Sequence, residues 1–99
     1  MSLPTMPPAL AQDWRQLHDL IDEVAVRRPI PCRESQVLHP DAWTSENAED
    51  LAEAAAQCWR CPAVDACRTF GLTHLGEVGV LGGLTPNERR RTVREREAS

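Results

Sequence analysis

The chain has 99 residues, with eleven arginines and no lysine set against fifteen acidic residues, for a net charge of −4. A length of this order makes one domain that buries only about 60–65% of its unfolded surface, and Trp14, Trp43, Trp59 and Phe70 are the only aromatic residues available to fill its core. An acidic body excludes tight nucleic-acid binding through phosphate contacts alone, and no stretch is long and apolar enough to span a bilayer.

Residues 1–8 are proline-rich and are expected to be disordered. They lack the basic and apolar regions of a secretory signal, so the chain reads as cytoplasmic, with no membrane partner. From Ala9 to about Arg28 the apolar residues Leu10, Trp14, Leu17, Ile21 and Val24 recur in steps of four and three, one helical stripe. Such a stripe ordinarily packs on the protein's own core. Arg27 and Arg28 suit the negative end of that helix, and Pro29 and Pro31 stop it and lead extended into Cys32. Residues 33–44 look irregular, with His39-Pro40-Asp41 as a turn signal.

A second helix is expected from a Ser45 cap, with Glu46, Glu49 and Asp50 in its first turns, through to Cys58. A third begins near Pro62 and carries Val64, Cys67 and Phe70 on adjacent turns, with Gly71 weakening its end. Gly76 through Gly83 is a glycine-rich turn that needs positive φ or close backbone approach. It lacks the Gly-Lys-[Ser/Thr] ending and the preceding strand of a phosphate loop. Thr85, Pro86 and Glu88 form a capping box that opens a last helix. No strand-like alternation occurs, so the fold class is all-α, a small bundle of about four helices. Residues 9–84 form the main unit and 85–99 an arginine-rich helix.

Cys32, Cys58, Cys61 and Cys67 follow the spacing C-x25-C-x2-C-x5-C, three within ten residues and one far upstream. Thiolates placed this way can close around one inorganic centre and tie the two halves of the chain together. A disulfide framework suits an exported chain better than a cytosolic one. Zinc sites usually pair two short knuckles, and only Cys58-x-x-Cys61 is present, while His18, His39 and His74 are scattered without ligand spacing. Three close cysteines and one distant member also suit a four-thiolate iron–sulfur cluster. Spacing by itself leaves iron and zinc both open. A thiol–disulfide oxidoreductase using Cys58 and Cys61 is the enzymatic alternative, but that motif belongs in a βαβ setting. No serine–histidine–acid or paired-carboxylate pattern occurs, and no catalytic residue is assigned.

The order of the remaining motifs bears on the choice. Cys58-Trp59-Arg60-Cys61-Pro62 is followed by Gly79-Val80-Leu81-Gly82-Gly83 and then Leu84-Thr85-Pro86-Asn87-Glu88-Arg89. Over about residues 30 to 92 this arrangement resembles the WhiB-like family of actinobacterial and actinophage regulators. The glycines of the family's G-[VI]-W-G-G turn match at Gly79, Gly82 and Gly83, whereas its tryptophan is Leu81 here. The resemblance implies a non-enzymatic transcriptional regulator holding a [4Fe–4S] cluster on Cys32, Cys58, Cys61 and Cys67. It implies a cluster that responds to nitric oxide or dioxygen, and disulfide reduction by the cluster-free form as a side activity at most. The implied partner is the C-terminal domain of the primary sigma factor, met by the turn at Gly79, Val80, Leu81, Gly82 and Gly83. Trp43 or Trp59 would supply the aromatic anchor that Leu81 lacks.

The last helix carries Arg89, Arg90, Arg91, Arg94 and Arg96 among three glutamates, a locally basic end on an acidic chain. These arginines are expected to touch promoter phosphate within the sigma-factor complex, against the plainer reading of a solvated face. A structural zinc protein associated with DNA remains the non-cluster alternative. No small-molecule substrate is implied.

Overall fold

Proline and side-chain caps set where most of the helices begin. The computed structural model describes residues 8–33 and 43–98. Its elements in chain order are α1 (Pro8–Ala25), a 3-10 turn (Pro31–Arg33), α2 (Ala48–Cys58), α3 (Val64–Thr73) and α4 (Pro86–Ala98). Among the described residues there is no strand, only one isolated bridge between Leu81 and Leu84. The all-helical, four-helix expectation holds.

The boundaries differ in instructive ways. Pro8 is already helical, as proline at a first helical position can be, since it has no N–H to leave unpaired. The rest of the expected disordered start, residues 1–7, lies outside the described residues, as does the expected turn at His39-Pro40-Asp41. Helix α1 stops at Ala25, and the N–H groups of Arg27 and Arg28 fold back onto the Val24 carbonyl before Pro29.

Helix α2 is capped by Asn47, not by Ser45. The Asn47 side chain accepts from the N–H of Glu49 at 2.8 Å and of Asp50 at 3.3 Å. Ser45 is used otherwise: it accepts from the Asn47 N–H and donates to the Asp50 carboxylate, both at 2.9 Å. Asparagine and serine are near-equal caps, so the sequence alone does not rank them. The α4 capping box is as expected, with the Thr85 N–H donating to Glu88 Oε1 at 2.9 Å and the Glu88 N–H to Thr85 Oγ1 at 3.2 Å.

The α1 stripe packs on the protein's own core. Leu17 and Ile21 are buried together with Ile30, Ala63 and Phe70, and Leu10 and Val24 border them. Trp14 lies at the edge, its ring against His18 at 4.0 Å and Phe70 at 5.9 Å between centroids. His74 Nε2 on the residue after α3 meets Asp13 Oδ2 on α1 at 2.7 Å, a second tie between these helices. A separate small cluster, Ala54, Cys58 and Val80, with Trp43, Leu51 and Val64 around it, sits under α2. Neither cluster alone is a sizeable core, and the cavity described next lies between them.

The glycine-rich segment is a tight two-residue turn. Leu81 and Leu84 exchange backbone hydrogen bonds at 3.0 and 3.2 Å, and Gly82 and Gly83 between them have φ of +60° and +80°. Positive φ at both central residues is what a primed hairpin turn demands. The turn is pinned to the rest of the chain by the Val80 N–H, which donates to the Trp43 carbonyl at 2.8 Å. Arg68 Nε adds a bond to the Gly82 carbonyl at 2.9 Å.

Candidate metal centre

The four cysteines reach one place from three directions. Cys58 is the last residue of α2, and Cys61 follows in the turn, its N–H bonded to the Cys58 carbonyl at 2.9 Å. Cys67 lies on the first turns of α3, and Cys32 arrives on the 3-10 turn that the prolines set up. The Arg33–Asp22 ion pair at 2.9 Å ties that turn to α1. All four line a single cavity of about 190 Å³. Its other walls are largely apolar and include Ile21, Ile30, Ala63, Val80 and Leu81. Those walls come from both hydrophobic clusters, so the cavity separates two small cores that the cysteines border from each side.

Backbone donors point at the sulfurs. The Ala63 N–H approaches Cys61 Sγ at 3.4 Å, and the amides of Gly83 and Gly82 serve the sulfurs of Cys58 and Cys67. These two amides reach so far because neither glycine carries a Cβ. A Cβ on Gly82 would stand 2.2 Å from the Arg68 Cα, and one on Gly83 would press on the Trp59 ring at 3.3 Å.

Burial pushes the Cys58 thiol up to about 11, with the Gly83 amide opposing it. The Cys67 thiol is likewise pushed to about 11 by burial, against the Gly82 amide. Cys32 is exposed as a residue, yet its thiol faces the cavity and is raised by burial first and by Cys61 second. In the metal-free protein these are protonated thiols at neutral pH. A metal that binds them must displace the protons.

This disposition argues against the oxidoreductase alternative. A reactive CxxC needs a lowered thiol at the positive N-terminus of a helix. Cys58 instead closes the C-terminus of α2 and is raised. Among the described residues, no three histidine, cysteine or acidic side chains are grouped as ligands of a single metal ion. The four cysteines line one cavity.

The other residues singled out from sequence divide clearly. Trp59 is 61% exposed and sits over Gly83, with the Arg68 guanidinium 4.4 Å from its ring centroid. Trp43 is half-buried and packs into the α2 cluster. Gly79, Val80, Gly82 and Gly83 are all buried. Leu81 packs toward Phe70 and the cavity and is only half-exposed.

Arg90, Arg91, Arg94 and Arg96 are exposed on α4, but Arg89 is not. Its side chain is completely buried, so the expectation that it touches phosphate is wrong. It turns inward and donates to the carbonyls of Gly79 at 2.6 Å and Leu84 at 3.4 Å, and to Glu77. Sequence reasoning missed this residue, and also His18, which lines the cysteine cavity. A signal for Arg89 existed: Gly71 leaves a slot in α3 that a long side chain can thread.

Four helices with four cysteines around one cavity and a glycine turn behind them define a small all-helical, cysteine-centred class of protein. The family model described as Transcription factor WhiB matches residues 29–92, and the chain belongs to that family. Transcriptional regulator WhiB2 of Mycolicibacterium smegmatis is 38% identical over 55 residues, covering 56% of this chain and 43% of the relative. The chain thus spans less than half the length of that relative. Transcriptional regulator WhiB1 of Bifidobacterium longum is 33% identical over 66 residues, 65% of this chain and 72% of the relative. No solved structure matches significantly. No helix among the described residues is long and apolar enough to cross a membrane.

Proposed function

We propose that the protein is a non-enzymatic transcriptional regulator whose four cysteines hold a [4Fe–4S] cluster. In this reading it binds the C-terminal domain of the primary sigma factor in the cytoplasm. The observation that carries the reading is the convergence of Cys32, Cys58, Cys61 and Cys67 on one apolar cavity, served by turn amides. Four cysteines lining one cavity, three close in sequence and one distant, suit a four-thiolate cluster. N–H donors to thiolate sulfur are a known lever on such centres. When bound, the cluster supplies a redox-active, nitric-oxide-reactive group and a covalent cross-link between the two small cores.

The chain's own residues do the rest. Leu17, Ile21, Ile30 and Val80 exclude water from the sulfurs. The glycine turn joins that site to the surface at Trp59. An exposed tryptophan stacked with arginine is the sort of residue that anchors an interface. Trp59 therefore takes the anchoring role, with Leu81 turned to the interior. The exposed arginines of α4 then meet promoter phosphate once the sigma factor delivers the protein to DNA, because the acidic body does not bind DNA alone.

The test is anaerobic purification with iron and sulfide analysis, then titration with the isolated sigma-factor domain before and after nitric oxide. About four irons and four sulfides per chain are expected, with binding that weakens once the visible absorbance is bleached. Colourless, iron-free protein would refute the cluster. Unchanged affinity after complete bleaching would refute the switch.

A further inference from the structure

Arg89 is the only fully buried charged side chain among the described residues. It leaves the first turn of α4 and threads past α3 through the slot at Gly71, where a Cβ would stand 2.7 Å from Arg89 Cδ. Its recorded acceptors are the carbonyls of Glu77, Gly79 and Leu84, all neutral and all on the glycine-rich segment, and its Nε has no partner. A guanidinium is permanently charged. Burying it on carbonyl dipoles alone is expensive unless an anion lies nearby, and the Glu77 carboxylate is one such group.

The segment that Arg89 grips on one side presents the Gly82 and Gly83 amides to the sulfurs of Cys67 and Cys58 on the other. The Arg89 stem and Leu81, which lines the cysteine cavity, meet at the same Gly71 position, so the side chain runs beside the cavity wall.

The structure assigns Arg89, on the cluster reading above, as the buried counter-charge of the four-cysteine centre and the positioning residue that holds the turn's amides on its sulfurs. Four thiolates concentrate negative charge in a low-dielectric pocket, and a fixed positive charge beside them favours the more reduced state. The arginine that sequence assigns to DNA thus works inward. It also makes α4 mechanically continuous with the cysteine site, so the exposed arginines of that helix are placed by the same clamp.

The experiment uses the intact chain, loaded anaerobically, as wild type, Arg89→Lys and Arg89→Gln. Iron and sulfide content, midpoint potential by spectroelectrochemistry and the rate of iron transfer to a chelator are measured. The Gln variant should have a lower potential and release iron about ten-fold faster, as loss of a supporting partner around a metal site does. The Lys variant keeps the charge and should stay near the wild-type potential. A loaded Gln variant with wild-type potential and release rate overturns the inference, as do Lys and Gln variants shifted alike. If the Gln variant does not load, the Lys variant decides: wild-type potential supports the counter-charge, and failure to load or a shifted potential overturns it. Wild type without iron and sulfide defeats the cluster reading itself and is seen in the first measurement.

Discussion

Replacing Gly82 by alanine should destabilise the protein by about 2–5 kcal/mol, the sum of two separable effects. Gly82 has a φ of +60°, where an L-residue costs about 1–2 kcal/mol more than glycine. Its new Cβ would stand 2.2–2.3 Å from the N, Cα and Cβ of Arg68. Two of those atoms are backbone of α3, which cannot swing aside as a side-chain tip does. Turn and helix must separate, and overpacking of this kind costs about 1–3 kcal/mol. The total is a large share of the roughly 5–15 kcal/mol that holds an ordinary small domain together.

Gly76 supplies the control in the same segment. It has no left-handed φ, and a Cβ there meets nothing within 4 Å. Gly76→Ala should be neutral or stabilise by about 0.4–1 kcal/mol, because the unfolded chain loses freedom. Urea unfolding followed by circular dichroism at 222 nm (roughly the helical band used for any such chain) compares the two. Equal midpoints for Gly82→Ala and Gly76→Ala would refute the reasoning. Iron content should also fall in Gly82→Ala alone, since the displaced turn carries the amide that faces Cys67.

Cys32→Ala should abolish the visible absorbance and lower helicity, although Cys32 lies on a short 3-10 turn, because its sulfur closes the cavity between the two cores; a fully coloured variant of native stability would show that it is not a ligand. The metal-free protein should lose stability as pH rises from about 9 to about 11, measured by urea midpoints. Thiols with an ordinary value of 9.0 ionise in the unfolded chain first, while Cys58 and Cys67 hold their protons to about 11, so their contribution is intact below that window and gone above it. Trp59→Ala should weaken sigma-domain binding about ten-fold or more, as truncation of an interface tryptophan does; unchanged affinity by titration would remove it from the interface. Neutralising Arg90, Arg91 and Arg94 should flatten the salt dependence of promoter association by roughly one unit of slope per lost contact, and an unaltered slope would leave them a solvated face.

Local chemistry was legible in the sequence wherever neighbours in the chain decide it. The α4 capping box, the α1 stripe and the positive-φ glycines rest on residues close to one another in the chain, and the structure has them as expected. The cap of α2 shows the limit even at short range: Ser45 and Asn47 are both good caps, and only the side-chain geometry gives the position to Asn47. What the tertiary structure decided is where side chains go after they leave their own helix. Arg89 and Arg90 are adjacent in sequence and identical in type, yet Arg90 is exposed and Arg89 wholly buried. The difference lies in Gly71, eighteen positions earlier by numbering, whose missing Cβ opens a slot in α3 that Arg89 threads. Leu81 likewise stands in a turn that reads as surface but packs inward, because α3 has no side chain at Gly71 to fill that space. A sequence pattern carries periodicity and spacing; it does not carry the complementarity between a gap on one element and a side chain on another, and that complementarity fixes which face of the cysteine site is core and which is surface.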